Sequence, residues 1–199
     1  TTMSDPVRSR SLREGTFALE ADGTLVGQVN QTYTGHPGVA AKGIYDGLSE
    51  QERIDRVEDL LTRRLPGAEV TNIEIKNADS RQGPFSYSYS IRVPGYAAGT
   101  GQRLFVQPNY GMKNTNPRFA VSERQNDVYF DYPWTETDRY TISLPEGFKL
   151  ETPDMPQPFR ASGVGAYEVS VTQQENVKIT YERTFTWGEG GSVIFPRDA

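Results

Sequence analysis

The chain has 199 residues with no cysteine and one histidine, His36, against 11 tyrosines, 9 phenylalanines and 2 tryptophans. Its 21 basic and 26 acidic residues leave a net charge of −5. These figures exclude every thiol mechanism, every Cys-built metal site and every His-pair site within these residues, and they argue against a general nucleic-acid-binding surface.

From the N-terminus, Thr1 to Pro6 lack the apolar core of a signal peptide. Nothing later approaches the ~20 apolar residues of a membrane helix. With no initiator Met and an abrupt end at Ala199, the chain reads as a piece of a longer protein. The basic run Arg8, Arg10 and Arg13 reads as a solvated N-terminal arm. Thr16 to Glu20 alternates with Phe17 and Leu19 on one face, Ala21-Asp22-Gly23 turns the chain, and Thr24 to Thr34 returns as a second strand. Gly27 marks a bulge in that strand, and Gly35-His36-Pro37-Gly38 ends it.

One helix is expected next. Ser49 and Glu52 form a capping box, and Ile54, Val57, Leu61 and Leu65 fall on one face until Pro66-Gly67 stops the run. A lone helix of that length is stable only against a sheet. Strands then resume at Glu69–Lys76 and at Phe85–Val93, where Phe85, Tyr87, Tyr89, Ile91 and Val93 share a face opposite Ser86, Ser88, Ser90 and Arg92. Leu104–Gln107 gives a short strand, and the polar, turn-rich stretch Asn109–Pro117 reads as the weakest point of the chain. Beyond it the pattern is purely β: Asp127–Tyr132, Arg139–Leu144, Gly165–Thr172 and Val177–Trp187, with Pro153, Pro156 and Pro158 making an extended link.

The fold expected is α+β and β-rich: mostly antiparallel sheets with sandwich-like packing and one amphipathic helix at about 49–65 on a sheet face. Residues 1–119 form a sheet-plus-helix lobe and residues 120–199 a sandwich-like lobe, or the two make one continuous domain.

Chemistry is sparse. His36 lies in a turn with no nucleophile motif around it. Asp127, Asp131, Glu136 and Asp138 gather near Trp134, but without the Asp-x-Asx-x-Asx-Gly spacing of a calcium loop, and they read as solvated strand ends. Gly99-Thr100-Gly101 and Gly163-Val164-Gly165 lack the third glycine of a dinucleotide loop. No catalytic residue, metal ligand or cofactor is assigned. The candidates for binding are aromatic: Tyr96 and Tyr110 in loops and Trp134 at a strand end could stack on a glycan or anchor a peptide, or else pack the core.

The order of features in the second half carries a resemblance. Arg124, Val128-Tyr129-Phe130, Tyr132-Pro133 and Asp138 precede Tyr140-Thr141-Ile142-Ser143-Leu144-Pro145-Glu146-Gly147-Phe148; Ala166–Val171 and Val177–Arg183 follow, and Asp22-Gly23-Thr24-Leu25 opens the region upstream. This resembles the C-terminal β-rich region of bacterial transglutaminase-like proteins of uncharacterised function. The resemblance implies that a Cys-His-Asp core, absent here, lies upstream in the same polypeptide and is the partner of this region. It also implies export to the periplasm or cell surface. No catalytic residue carries over to any position.

Overall fold

Side-chain alternation along Phe85–Val93 sets the plan of the molecule, because every second residue is buried and the serines between them are half-buried. The computed structural model describes residues 5–100, 102–115, 125–151, 157–174 and 177–196. Twelve strands are described: β1 (Arg10–Leu19), β2 (Leu25–Thr34), β3 (Glu69–Lys76), β4 (Phe85–Val93), β5 (Ala98–Thr100), β6 (Arg103–Phe105), β7 (Val128–Tyr129), β8 (Trp134–Ser143), β9 (Phe159–Ala161), β10 (Gly165–Gln174), β11 (Lys178–Trp187) and β12 (Ile194–Phe195). Two helices, α1 (Gly35–Tyr45) and α2 (Glu50–Arg64), lie between β2 and β3.

Eight strands form one sheet in the order β3-β4-β2-β1-β8-β11-β10-β9. Every junction is antiparallel except β1–β8, which is parallel with Arg10 opposite Thr135 and Ala18 opposite Ser143. The α+β, β-rich fold is thus present. Strands from both sides of the 119/120 boundary share this sheet and one hydrophobic core, which runs from Leu25, Val57 and Phe85 to Ile142, Ile179 and Tyr181. In place of a separate sandwich-like lobe, the C-terminal strands extend the N-terminal sheet, because β8 docks on the otherwise open side of β1. Residues 119 and 120, Arg124, Pro117, Gly101, Pro153 and Pro156 lie outside the described residues.

The helix at 50–64 sits where its apolar stripe demands. Val57, Leu61 and Leu65 are buried against the sheet, and the capping box is complete: Ser49 Oγ accepts from the Glu52 amide at 3.3 Å while Glu52 Oε2 accepts from the Ser49 amide at 2.8 Å. Ser49→Ala should lower stability by about 1 kcal/mol in urea titrations. The Ser49 hydroxyl, donating to Glu52 Oε2 at 2.7 Å, and the Ser49 amide together hold the Glu52 carboxylate below its usual range. The folded chain therefore binds fewer protons there than the unfolded one. The contribution is complete above the ordinary glutamate range and is lost as pH falls through the lowered value. Glu52→Gln keeps the box but should flatten that part of the stability-against-pH curve; an unchanged curve would refute the assignment.

A second helix stands where a turn was expected. Gly35, with φ of +62°, redirects the chain out of β2, and Pro37 sits in the first turn, where no amide hydrogen is required. Helix α1 then lays Gly38, Ala41 and Tyr45 inward. With only small residues and one tyrosine facing the sheet, it shows no apolar stripe of large side chains. Lys42 fastens the following region by donating to the carbonyl oxygens of Ser80 at 2.7 Å, Gln82 at 3.3 Å and Gly83 at 2.8 Å.

Gly27 is not a bulge either, since β2 keeps unbroken register with both β1 and β4. A Cβ there would lie 2.3 Å from Phe17 Cδ1, so the glycine leaves room for the Phe17 ring to lie across it. The register shift in this part of the sheet falls instead in β3, between Thr71 and Glu74, with Asn72 at φ of +53°.

Candidate functional site

Strand register brings three charged residues together on the apolar face of the sheet. Arg13 is opposite Asp138 across the parallel junction, and Asp138 is opposite Arg183 across β8–β11. Asp138 Oδ1 accepts from Arg13 Nη1 at 2.8 Å and from the Tyr140 hydroxyl at 2.9 Å, while Oδ2 accepts from Arg183 Nη1 at 2.8 Å. Asp138 and Arg183 are only 3% and 6% exposed, so the cluster is shielded from water and salt.

Its outer members are also fixed. Arg13 Nε donates to Gln31 Oε1 at 2.8 Å, and Gln31 Nε2 donates to Ser11 Oγ and to the Leu12 carbonyl, each at 3.0 Å. Glu136 accepts from Trp134 Nε1 at 3.0 Å and from Arg183 Nη1 at 3.4 Å. Burial alone would pull the Arg13 guanidinium down, but the Asp138 carboxylate opposes that pull and helps hold it above its ordinary value. Burial pushes the Tyr140 phenol up, so it stays neutral and able to donate. Gly111 closes over this cluster: a Cβ there would fall 1.6 Å from Arg13 Nη1 and 2.6 Å from the Tyr140 hydroxyl.

The binding candidates turn out to be interior. Tyr96, Tyr110 and Trp134 are 2%, 0% and 8% exposed. Tyr96 donates its hydroxyl to the Gln107 carbonyl at 2.7 Å. Tyr110 lies between Phe17, Tyr96 and Tyr140, with ring centroids at 4.9, 6.3 and 6.0 Å. Trp134 packs with Phe130, Phe185 and Trp187. None of the three rings is presented at a loop tip, because loops that cross a sheet end carry aromatics to close it. The turn Tyr110–Met112 is accordingly a core element, with Tyr110 and Gly111 buried, and not the weak point its polar composition suggests.

His36 stacks on Tyr132 at 4.7 Å. Of the four grouped acids, Asp127 and Asp131 are exposed, whereas Glu136 and Asp138 point inward from β8. Sequence reasoning missed Arg13, Arg183 and Gln31. Their signal was a polar residue in an apolar register: Arg13 shares a face with Phe17 and Leu19, and Arg183 with Ile179, Tyr181 and Phe185. Among the described residues no group of His, Cys, Asp and Glu could hold a metal ion, and no helix is long and apolar enough to cross a membrane.

The other face of the sheet is polar and bends into a hollow of about 640 Å³ floored by β4, β2, β1, β8 and β11, with Asn72 and Glu74 of β3 at one side. A second hollow, about 780 Å³, lies between α1 and the 78–83 loop.

Residues 102–190 match the family model of DUF3858, a domain of unknown function with a solved structure. No curated protein and no solved structure matches the chain. The DUF3858 match spans β6 to β11 and so contributes Asp138, Glu136, Tyr140 and Arg183 to the buried cluster, while Arg13 and Gln31 come from outside it. No catalytic motif is recognisable in the matched stretch.

Proposed function

We propose that this chain is a non-catalytic accessory domain, C-terminal to a transglutaminase-like Cys-His-Asp core in an exported bacterial protein. The observation that carries the reading is the state of Asp138, the most buried carboxylate of the candidate group. Its two oxygens receive two guanidinium donors and one phenol, so it lacks the open side at which an acid–base group must reach its substrate. The order of motifs in the second half supports membership of a larger polypeptide. In this reading the domain acts by packing against the upstream core and shaping access to it.

Two measurements test it. Purified chain assayed for amine incorporation into a glutamine peptide, and for peptide and glycoside hydrolysis, should show no turnover. The parent gene should encode a Cys-His-Asp core upstream of Thr1, and deleting this domain should lower that core's stability or alter its substrate range. Turnover abolished by Asp138→Asn or His36→Ala would overturn the non-catalytic assignment. A parent gene without the core would overturn the accessory one.

A further inference from the structure

Antiparallel sheets often leave one face to water, so a polar face alone implies nothing. Here that face has two added properties. It forms an open hollow of about 640 Å³, and its side chains line up across the strands in two adjacent rungs. Register places Ser90, Gln28, Thr16, Thr141 and Thr180 opposite one another in turn across β4, β2, β1, β8 and β11. Two residues along, it places Ser88, Asn30, Glu14, Arg139 and Glu182 in the same way.

Each rung crosses five strands, ~19 Å at ~4.8 Å per strand, and the rungs are ~7 Å apart. Among the described residues, the side chains of Thr16, Gln28, Asn30, Ser88, Thr141 and Thr180 have no hydrogen-bonding partner in the protein. They are donors and acceptors at once.

The lining also selects against other ligands. Arg139 is the one cation on the rungs, and it is held between Glu182 at 2.9 Å and Glu14 at 3.8 Å, so an anion finds no free positive charge. No side chain of either rung is aromatic, so a flat ring finds no stacking partner on the rungs. The strands beneath are paired on both sides, so an extended peptide cannot add to the main-chain ladder.

We propose that this hollow binds an uncharged, hydroxyl-rich chain, an oligosaccharide, laid across the strands along the two rungs. Repeated hydroxyls along such a chain meet repeated hydroxyls and carboxamides along the rungs. This site is distinct from the aromatic positions Tyr96, Tyr110 and Trp134. It is also independent of the accessory role: an inert hollow leaves that role standing, and failure of the role leaves the hollow's binding standing.

The test is titration of the ¹⁵N-labelled full chain with cellohexaose and chitohexaose, with oligolysine and oligoglutamate as charged peptide controls. The proposal expects amide shifts in β1, β2, β4, β8 and β11 with at least one hexasaccharide. Asn30→Ala combined with Ser88→Ala, and separately Thr16→Val, should weaken that binding by about tenfold or more, equivalent to ~1.4 kcal/mol, at unchanged melting temperature. No shift with either hexasaccharide at millimolar concentration, shifts confined to other surfaces, binding of a charged peptide alone, or full affinity in the variants would each overturn it.

Discussion

Replacing Asp138 with alanine should lower the unfolding free energy by about 3–5 kcal/mol, the range for removing one partner of a buried ion pair. Two guanidiniums, Arg13 and Arg183, would then face one another across the space the carboxylate occupied, with Tyr140 left without its acceptor. Urea unfolding at neutral pH measures the loss directly. The physical cause is the isolated charge and not the lost attraction alone. The triple change Arg13→Met, Asp138→Leu and Arg183→Met should therefore recover most of the stability, since apolar replacement of a buried ionic triad is often neutral or better. An Asp138→Ala loss below about 1 kcal/mol would mean that the cluster is open to water.

Tyr110→Ala should be nearly as severe, at about 3–5 kcal/mol for emptying a large aromatic site in a core. Tyr110 is fully buried. It packs on Phe17 and Tyr140, shares a 3.2 Å hydrogen bond with the Tyr89 hydroxyl, and has the Arg64 guanidinium 5.3 Å above its ring. Tyr110→Phe removes only the hydroxyl and should cost about 1 kcal/mol. The pair of variants separates packing from ligand contact: a solvent-facing stacking residue would leave stability almost unchanged when truncated, whereas a core residue shows the large gap between alanine and phenylalanine. Thermal or chemical unfolding of both variants decides it.

Local rules carried far in this chain. Ser49, Glu52 and the spacing from Ile54 to Leu65 announce α2, and the strict alternation from Phe85 to Val93 announces β4, because in both cases the information lies within one element. Helix α1 escaped because its inward side is Gly38, Ala41 and Tyr45, which gives the periodicity no weight. Pairing escaped for a different reason. Nothing in the residues from Arg10 to Ala18 names their neighbour at Thr135 to Ser143, since alternation tells which way a side chain points and is silent on which strand lies alongside.

The same blindness governs the candidate sites. Arg13 looks like one more charge in a basic arm until Asp138 is opposite it. The polar rungs exist only once five strands are in register; as isolated letters, Thr16, Asn30, Ser88 and Thr141 are ordinary solvent-side residues. Aromatics in loops mislead in the opposite sense. Tyr96 and Tyr110 lie in irregular segments that fold back over the sheet end, so their position in the chain suggests exposure while their rings complete the interior.

The parallel β1–β8 junction has a consequence for how the molecule is made. Its partners are 125 residues apart in the chain, and contacts of such separation slow folding because the intervening segment must be closed first. As the polypeptide leaves the ribosome, the strand Arg10–Leu19 emerges ahead of Trp134–Ser143 and presents a bare row of amides and carbonyls on that side until its partner follows. During that interval a neighbouring nascent copy can pair there instead, so yield in cells should depend on translation speed across the middle of the message and on chaperones that shield the waiting edge.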